Sequence, residues 1–133
     1  MTKRLGISLA LALALSVSLG AFANPVQDGY RAAAKQENAA FKDFSAAAGQ
    51  KFYHAKVGEL ACASCHTDSP KSLGKHAKTG KEIQPLAPSV NPKRFSDAAN
   101  VEKWFKRNCN DVLARACTAQ EKGDFMAYVL SVQ

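Results

Sequence analysis

The sequence predicts a small all-α domain folded around a group held in its central loop region. Three observations support this fold class: helical periodicity near both ends of the chain, a central stretch rich in Gly, Pro, Ser and Thr with little periodicity, and the lack of strand-like alternation. At 133 residues the chain is long enough for one domain with a modest core. An all-helical domain wrapped around something in its loop region is the simplest interpretation.

The N-terminus has the pattern of a secretory signal peptide. Two basic residues precede an uncharged apolar run, and the small-residue pattern Ala-Phe-Ala ends at Ala23. We therefore predict a signal peptide over residues 1–23, cleavage before Asn24, a single domain over 24–133 and a periplasmic location. The alternative is a retained membrane anchor, but serines dilute the apolar run and a cleavage pattern ends it. After cleavage we expect no integral membrane segment.

Charge and cysteine content limit the partners of the exported domain. Loss of Lys3 and Arg4 lowers the formal net charge from +7 to +5, so the domain stays basic. A basic exported surface favours acidic proteins or anionic surfaces, and we expect no nucleic-acid partner. The four cysteines lie in an oxidising compartment, where thiols pair or are consumed chemically.

The first predicted helical stretch is Ala-rich and runs over about 26–53. Four residues recur at intervals of three and four, which predicts one helix face: Phe41, Phe44, Ala48 and Phe52.

A second helix is predicted over roughly 97–107. Val101, Trp104 and Phe105 form its apolar stripe, with Trp104 expected to pack in the core, and the helix is predicted to end near Asn108.

The last helix starts at the capping box that Thr118 and Glu121 form, because hydroxyl and carboxylate each satisfy a free backbone N–H. Its apolar face is predicted to be Phe125, Met126, Tyr128 and Val129.

The central loop region carries Cys62, Cys65 and His66 in the spacing C-x-x-C-H, which is typical of c-type haem attachment. Two residues between the cysteines let both sulfurs reach one porphyrin, and the adjacent imidazole becomes an axial iron ligand. The sequence therefore predicts one covalently bound haem c. A thioredoxin-like pair would need a preceding strand, and a structural zinc site would need two further ligands at short spacing.

The residues alone leave the second axial ligand open. Met126 would give the thioether of many electron-carrying cytochromes, although a methionine on that helix is more often a core residue. His54 and His76 would give a bis-histidine centre but lie close in sequence to the haem motif. By itself Asn108 would be interpreted as a helix-ending residue. Cys109 and Cys117 remain after haem attachment, and a disulfide between them is expected in an oxidising compartment.

A resemblance narrows these choices. The segments TGKEIQPLAPS (79–89), NPKRF (91–95) and VEKWFKRNCNDV (101–112) resemble the oxygen-binding cytochromes c of the sphaeroides haem protein type. The likeness extends over about 49–131, and both cysteine pairs lie within it.

The resemblance implies a class I-like cytochrome c fold, Asn108 as the sixth ligand and a disulfide between Cys109 and Cys117. Asn110 is the neighbour that could be confused with Asn108. A side-chain amide is a hard, weak ligand that suits ferric better than ferrous iron. Our hypothesis is therefore a redox-gated site in which reduction releases Asn108 and opens the haem to O2, NO or CO, as the family implies, with an oxygen- or NO-dependent oxidoreductase activity as one outcome.

The resemblance also implies an electron donor, a partner cytochrome that is commonly dihaem and linked to a membrane cytochrome b. Four lysines after the haem motif could form a basic docking rim or a plain solvated loop: Lys71, Lys75, Lys78 and Lys81. Asp68 and Trp104 are further candidates for tuning the haem surroundings, although core packing is the expected role of Trp104. Two rival functions remain, a plain electron carrier with both axial sites filled and a ligand sensor or carrier without turnover.

Overall fold

The computed structural model describes residues 23–133, and within them the fold is all-α, as predicted. The helices are α1 (Pro25–Glu37), α2 (Ala46–His54), α3 (Cys62–His66), α4 (Ala98–Leu113) and α5 (Ala119–Ser131). Two antiparallel strands of two residues each, β1 (Gly74–Lys75) and β2 (Glu82–Ile83), pair Gly74 with Ile83 and Lys75 with Glu82. The sequence did not predict this short pairing.

The predicted signal peptide lies outside the described residues, apart from its last residue, Ala23. Asn24, the first residue after the predicted cleavage point, caps α1: its side-chain oxygen accepts hydrogen bonds from the backbone N–H groups of Val26 (3.0 Å) and Gln27 (3.2 Å). Its amide nitrogen donates to the carbonyl of Phe95 at 3.1 Å, which fastens the start of α1 to the loop before α4. No helix in 23–133 is long and apolar enough to cross a membrane.

The predicted helical stretch 26–53 forms two helices, so the prediction that its apolar residues share one helix face is wrong. Asn38 ends α1 and its side chain accepts from the N–H of Ala40 at 2.9 Å, while Ser45 caps α2. These short polar side chains satisfy backbone groups locally and so compete with a continuous helix. Phe41 and Phe44 lie between the helices, with their ring centroids 5.0 Å apart.

Helix α4 also departs from its prediction, because it continues six residues past 107. Asp97 caps it, accepting from the N–H of Asn100 at 2.7 Å, and Ala114 ends it in the left-handed conformation. The buried stripe Val101, Phe105 and Cys109 extends through the predicted end and keeps the helix packed against the core. Asn108 therefore lies inside α4 rather than at its end.

The densest packing in the described chain is where α2 crosses α5. A Cβ atom on Gly49 would lie 1.8 Å from the carbonyl oxygen of Asp124, so only glycine allows this approach. The Asp124 carboxylate accepts from the N–H of Ser45 at 2.7 Å, and burial raises the pKa of that carboxyl. Tyr53 is fully buried against Tyr128, with ring centroids 5.4 Å apart.

Helix α5 begins at the predicted capping box, with Glu121 N–H donating to the Thr118 hydroxyl (3.1 Å) and Thr118 N–H donating to the Glu121 carboxylate (2.9 Å). All four predicted face residues are buried: Phe125, Met126, Tyr128 and Val129.

Helix α1 packs on the other side of α5. Gln27 donates from its amide to the carbonyl of Gly123 at 3.0 Å, and Glu37 accepts from the N–H of Ala119 at 2.9 Å.

Candidate functional site

A cavity of about 840 Å³ lies between α3, the loop over 76–84, the segment 91–97 and the inner wall of α4. Its volume is within the range of about 300–1,000 Å³ that is usual for cofactor sites. Much of the lining is apolar and comes from distant parts of the sequence: Phe52, Leu60, Leu86, Val101, Phe105 and Phe125.

The predicted haem motif forms α3, and Cys62, Cys65 and His66 all line the cavity. One helical turn places Cys62 and Cys65 on the same side, with His66 following directly. The two sulfurs are not bonded to each other. The start of α3 is fixed by Ser64, whose hydroxyl accepts from the N–H of Ala61 at 2.9 Å.

The end of α3 is fixed by Tyr53, whose hydroxyl lies 3.1 Å from the carbonyl of His66 and 2.7 Å from that of Thr67. Strand β1 lies directly against α3: a Cβ on Gly74 would be 2.2 Å from the carbonyl oxygen of Cys65. The motif is thus held from the core side and from the loop side, while its functional side chains line the cavity.

The electrostatics of α3 suit haem attachment better than the alternatives. Burial lowers the pKa of His66 to about 4, with the charge of Arg94 adding to the effect, so the imidazole is neutral at pH 7 and can act as a ligand. Burial raises the pKa of Cys62 to about 11, the opposite of a reactive thiolate in a thioredoxin-like pair. Residues 23–133 contain no group of three or more His, Cys, Asp or Glu arranged to hold a metal ion, so the zinc alternative has no further ligands there.

Helix α4 lines the cavity with three further side chains beside its buried stripe. Asn100, Trp104 and Asn108, spaced by four residues, all line it, whereas Asn110 does not. Trp104 is 43% exposed, so the expectation that it packs in the core is wrong. Asparagine is unfavourable inside a helix, and within the described chain the Asn108 side chain makes no hydrogen bond that would explain its position.

The structure separates the other ligand candidates. Met126 is fully buried in the core and His54 lies against Gln50 and Asp68, and neither lines the cavity. Asp68 also lies outside the cavity lining, away from the site it was a candidate for tuning.

His76 does line the cavity. Its Nδ1 accepts hydrogen bonds from the backbone N–H groups of Lys78 (3.3 Å) and Thr79 (3.2 Å). Coordination through Nε2 would need a hydrogen on Nδ1 and would break both hydrogen bonds, which disfavours His76 as a ligand.

A disulfide joins Cys109 and Cys117, with their Cα atoms 5.7 Å apart. This is the pairing that the family resemblance implies. Closing a loop of this size stabilises the fold by about 2.6 kcal/mol on chain-entropy arguments. It also ties the turn of α4 that carries Asn108 to the segment before α5.

The cationic rim of the cavity differs from the one the sequence suggested. Lys78 and Lys81 line the cavity, but Lys71 and Lys75 do not, and the ammonium of Lys71 donates to the carbonyl of Gln133 at 2.8 Å. Sequence reasoning missed three further cations that join the rim from the segment before α4 and from α4 itself: Lys93, Arg94 and Arg107. Nothing in their local sequence marks them, because only the folded chain brings them to this edge.

Arg94 is held by backbone acceptors rather than by an acid. Its Nε donates to the carbonyl of Pro85 at 2.9 Å and its Nη2 to that of Gln84 at 2.6 Å, while burial lowers the pKa of the guanidinium. Within the described residues it has no carboxylate partner.

The residues present fit a haem. The cavity has an apolar lining, two unpaired thiols at the required spacing on one wall, a neutral imidazole beside them and cations at its edge. Cys62 and Cys65 would hold the group covalently, and His66 would hold its iron.

An all-α fold around a cavity that carries a C-x-x-C-H helix defines a c-type cytochrome. The chain belongs to the family described as Domain of unknown function (DUF1924), which residues 39–129 match.

Two relatives place the chain among known cytochromes. It is 51% identical over 82 residues to cytochrome c'' of Methylophilus methylotrophus and 51% identical over 69 residues to the cytochrome c-type protein SHP of Cereibacter sphaeroides. These matches cover 62% and 52% of this chain, and 57% and 53% of the two relatives. The chain thus matches little more than half the length of either relative. The resemblance to the sphaeroides haem protein type is confirmed.

Solved structures agree with the fold. Oxidised cytochrome c'' superposes with a TM-score of 0.74 at 41% identity, covering 81% of this chain and 92% of that one. Oxidised SHP, described as an oxygen-binding cytochrome c, gives a TM-score of 0.68 at 39% identity, covering 78% and 91%. A solution structure of cytochrome c'', covering 80% and 90% with a TM-score of 0.71 at 42% identity, addresses haem-ligand detachment in that protein. The predicted cytochrome c fold is confirmed.

Proposed function

We propose that the protein is an exported, periplasmic monohaem c-type cytochrome that accepts single electrons and then admits a diatomic molecule at the position that Asn108 vacates. When bound, haem would supply an iron that cycles between ferric and ferrous states, with His66 and Asn108 as the residues that would hold it. Everything else in the proposal concerns what the residues around the cavity do.

The observation that carries the proposal is the placement of Asn108. It lies inside α4, lines the same cavity as His66, and has no hydrogen-bond partner for its side chain within the described chain. Asn108 is exposed, and an asparagine inside a helix is unfavourable for the fold alone because its amide competes with helical backbone bonding. A ligand role would give that amide a partner in the cavity that it lines.

His66 and Asn108 differ in how firmly they would hold iron. A neutral imidazole is a strong ligand, and α3 is fixed by Tyr53 and Ser64, so His66 stays in place. The Asn108 amide oxygen is a hard, weak donor that suits the ferric state and loses affinity on reduction. Asn108 would then move aside while His66 remains, which opens one side of the cavity to O2, NO or CO.

The rival function, a plain electron carrier, needs a second strong axial ligand. Met126 and His54 do not line the cavity, and the hydrogen bonds at Nδ1 of His76 disfavour it. The names of the relatives favour an opening site, since SHP is described as oxygen-binding and cytochrome c'' is studied for haem-ligand detachment.

We further propose that electrons arrive from a partner cytochrome, of the dihaem type linked to a membrane cytochrome b. Five cations line the cavity against three carboxylates, Glu82, Asp97 and Asp111, and this positive excess supports docking of an acidic surface at the cavity edge. The cations are Lys78, Lys81, Lys93, Arg94 and Arg107. Electron uptake should therefore slow steeply as ionic strength rises.

The decisive experiment replaces Asn108 by Ala, with Asn110→Ala as the matched control on the same helix but outside the cavity. We expect wild type and the control to share a ferric six-coordinate low-spin spectrum, and Asn108→Ala to lose it. Reduced wild type should bind carbon monoxide. An unchanged ferric spectrum in Asn108→Ala would remove the assignment, and reduced protein that ignores carbon monoxide would contradict the opening. Steady-state oxygen consumption with a supplied reductant then separates an oxidoreductase from a sensor or carrier without turnover.

A further inference from the structure

Trp104 is the only tryptophan of the chain and sits where packing does not explain it. Val101, Trp104 and Phe105 on α4 all line the cavity, but Val101 and Phe105 are buried whereas Trp104 is 43% exposed. A large aromatic side chain that the rest of the chain leaves partly uncovered indicates a surface that binds a ligand or a partner.

The helix fixes which part of the cavity this indole occupies. Asn108 follows Trp104 by four residues, and side chains in a helix lean toward its N-terminus, so the Asn108 amide lies over the turn that carries Trp104. The guanidinium carbon of Arg107 is 5.6 Å from the Trp104 ring centroid, a cation–π contact that holds the indole on the cavity side.

We propose that Trp104 determines ligand specificity at the position next to Asn108. The indole covers the space that the amide leaves, and its Nε1–H donates a hydrogen bond to a diatomic molecule that gathers negative charge on its outer atom. This inference rests on the proposed function and assigns its selectivity to one residue.

The chemistry of the indole supports a donor role. Its Nε1–H can only donate, and within the described part of the chain it has no acceptor. Beside apolar side chains, a hydrogen bond from such a donor strengthens the binding of a polar molecule that reaches it. Dioxygen becomes polar when it takes up electron density and so gains from the donor, whereas carbon monoxide stays nearly apolar and gains little.

Two variants distinguish the two roles of Trp104, steric cover of the space beside Asn108 and hydrogen-bond donation. Trp104→Phe keeps an aromatic ring but removes the donor, and Trp104→Ala removes both. Lys103→Ala, on the same helix, exposed and outside this cavity, is the matched control. All are compared as holoproteins by flash photolysis and stopped flow.

For Trp104→Phe we expect dioxygen to dissociate about fivefold faster than from wild type, the factor expected when one neutral hydrogen bond is lost, with carbon monoxide changed less than about twofold. For Trp104→Ala we expect both gases to associate faster, and Lys103→Ala should match wild type. Equal dioxygen and carbon monoxide effects in Trp104→Phe, or wild-type rates in Trp104→Ala, would overturn the proposal.

A separate measurement keeps this inference distinct from the proposed function. Cyanide binding to the ferric protein probes the same cover without any reductive release of Asn108. If reduced wild type bound neither gas, the proposed function would fail, while faster cyanide association in Trp104→Ala alone would still support the cover. Equal rates of cyanide association in Trp104→Ala and wild type would rule out the covering role of Trp104. Fluorescence of this single tryptophan gives a further check: an indole beside haem should be quenched in the native protein and restored on unfolding, and a bright native signal would contradict its placement.

Discussion

Helices α2 and α5 cross with their backbones in close contact, whereas on the wall that α4 gives to the cavity the large Trp104 side chain stays partly uncovered. At the crossing, Tyr53 and Met126 are fully buried, and the buried Asp124 carboxylate has a backbone partner. At the cavity, Trp104 is 43% exposed and the Asn108 amide has no partner in the described chain. The crossing is fully packed by residues of the chain, whereas the cavity wall needs a large bound group to cover it.

The difference teaches where this small domain obtains its stability. The crossing supplies close packing without a cofactor. The cavity occupies space that packed side chains would otherwise fill, and a domain this small has only a modest hydrophobic core. A covalently attached haem would restore that core, so the cofactor is expected to act as a structural element as well as a reactive one.

Removing the attachment should have the largest effect. In a Cys62→Ala, Cys65→Ala double variant we expect no covalent haem and a loss of cooperative unfolding, because the cavity lining then faces water. Haem staining after denaturing electrophoresis and thermal unfolding by circular dichroism measure this. Ser64→Ala, which loses only one cap on the same helix, should keep its haem and cost about 1 kcal/mol. Covalent haem in the double variant would refute the attachment sites.

Overfilling the crossing should come next. Gly49→Ala places a methyl group against the carbonyl of Asp124, and we expect the free energy of unfolding to fall by about 3 kcal/mol while haem stays attached. Gly29→Ala is the control, since nothing lies within 4 Å of its Cβ position on exposed α1. There we expect a gain of up to about 1 kcal/mol from helix propensity. Equal urea midpoints for both variants would show that the crossing is not close-packed.

The smallest effect concerns Glu102, which links α4 to both α1 and α5. It accepts hydrogen bonds from Tyr30 and Lys122, both at 2.8 Å. Burial alone would raise the pKa of Glu102, but these partners outweigh it and the net pKa is lowered. A lowered carboxyl pKa adds stability that is present above the ordinary value of 4.5 and is lost as pH falls through the folded-state value.

We therefore expect Glu102→Gln to cost about 0.5–1 kcal/mol at pH 7, since the carboxylate is half exposed, and the difference from wild type to vanish as pH falls below 4.5. Urea unfolding at several pH values tests this. Glu59→Gln, an exposed loop position, should show no such change at any pH. A difference that grew toward acid pH would reverse the assigned sign.

Much of the fold could be predicted from local pattern. The capping box of Thr118 and Glu121 and the apolar face after it depend only on neighbours in sequence, and α5 forms as predicted. The end of α4 could not be predicted, because Asn108 and Asn110 weaken the local signal while the buried stripe through Cys109 overrides it. The turn at Phe41 and Phe44 was missed for a similar reason, since apolar spacing alone does not show where polar side chains interrupt a helix.

The residues of the cavity can also be divided into those that the sequence predicted and those that only the tertiary structure placed there. The sequence alone predicted Cys62, Cys65 and His66 as the attachment site, because haem attachment needs those residue types within one helical turn and such a short spacing is visible in the sequence. Family resemblance pointed to Asn108 and the paired cysteines. Only the tertiary structure decided that Asn108 faces the cavity while Asn110 does not, that Trp104 is uncovered, and that Lys93, Arg94 and Arg107 meet at its edge. The physical reason is that long-range packing, which no local spacing records, sets the rotation of α4 about its axis and the path of the loop before it.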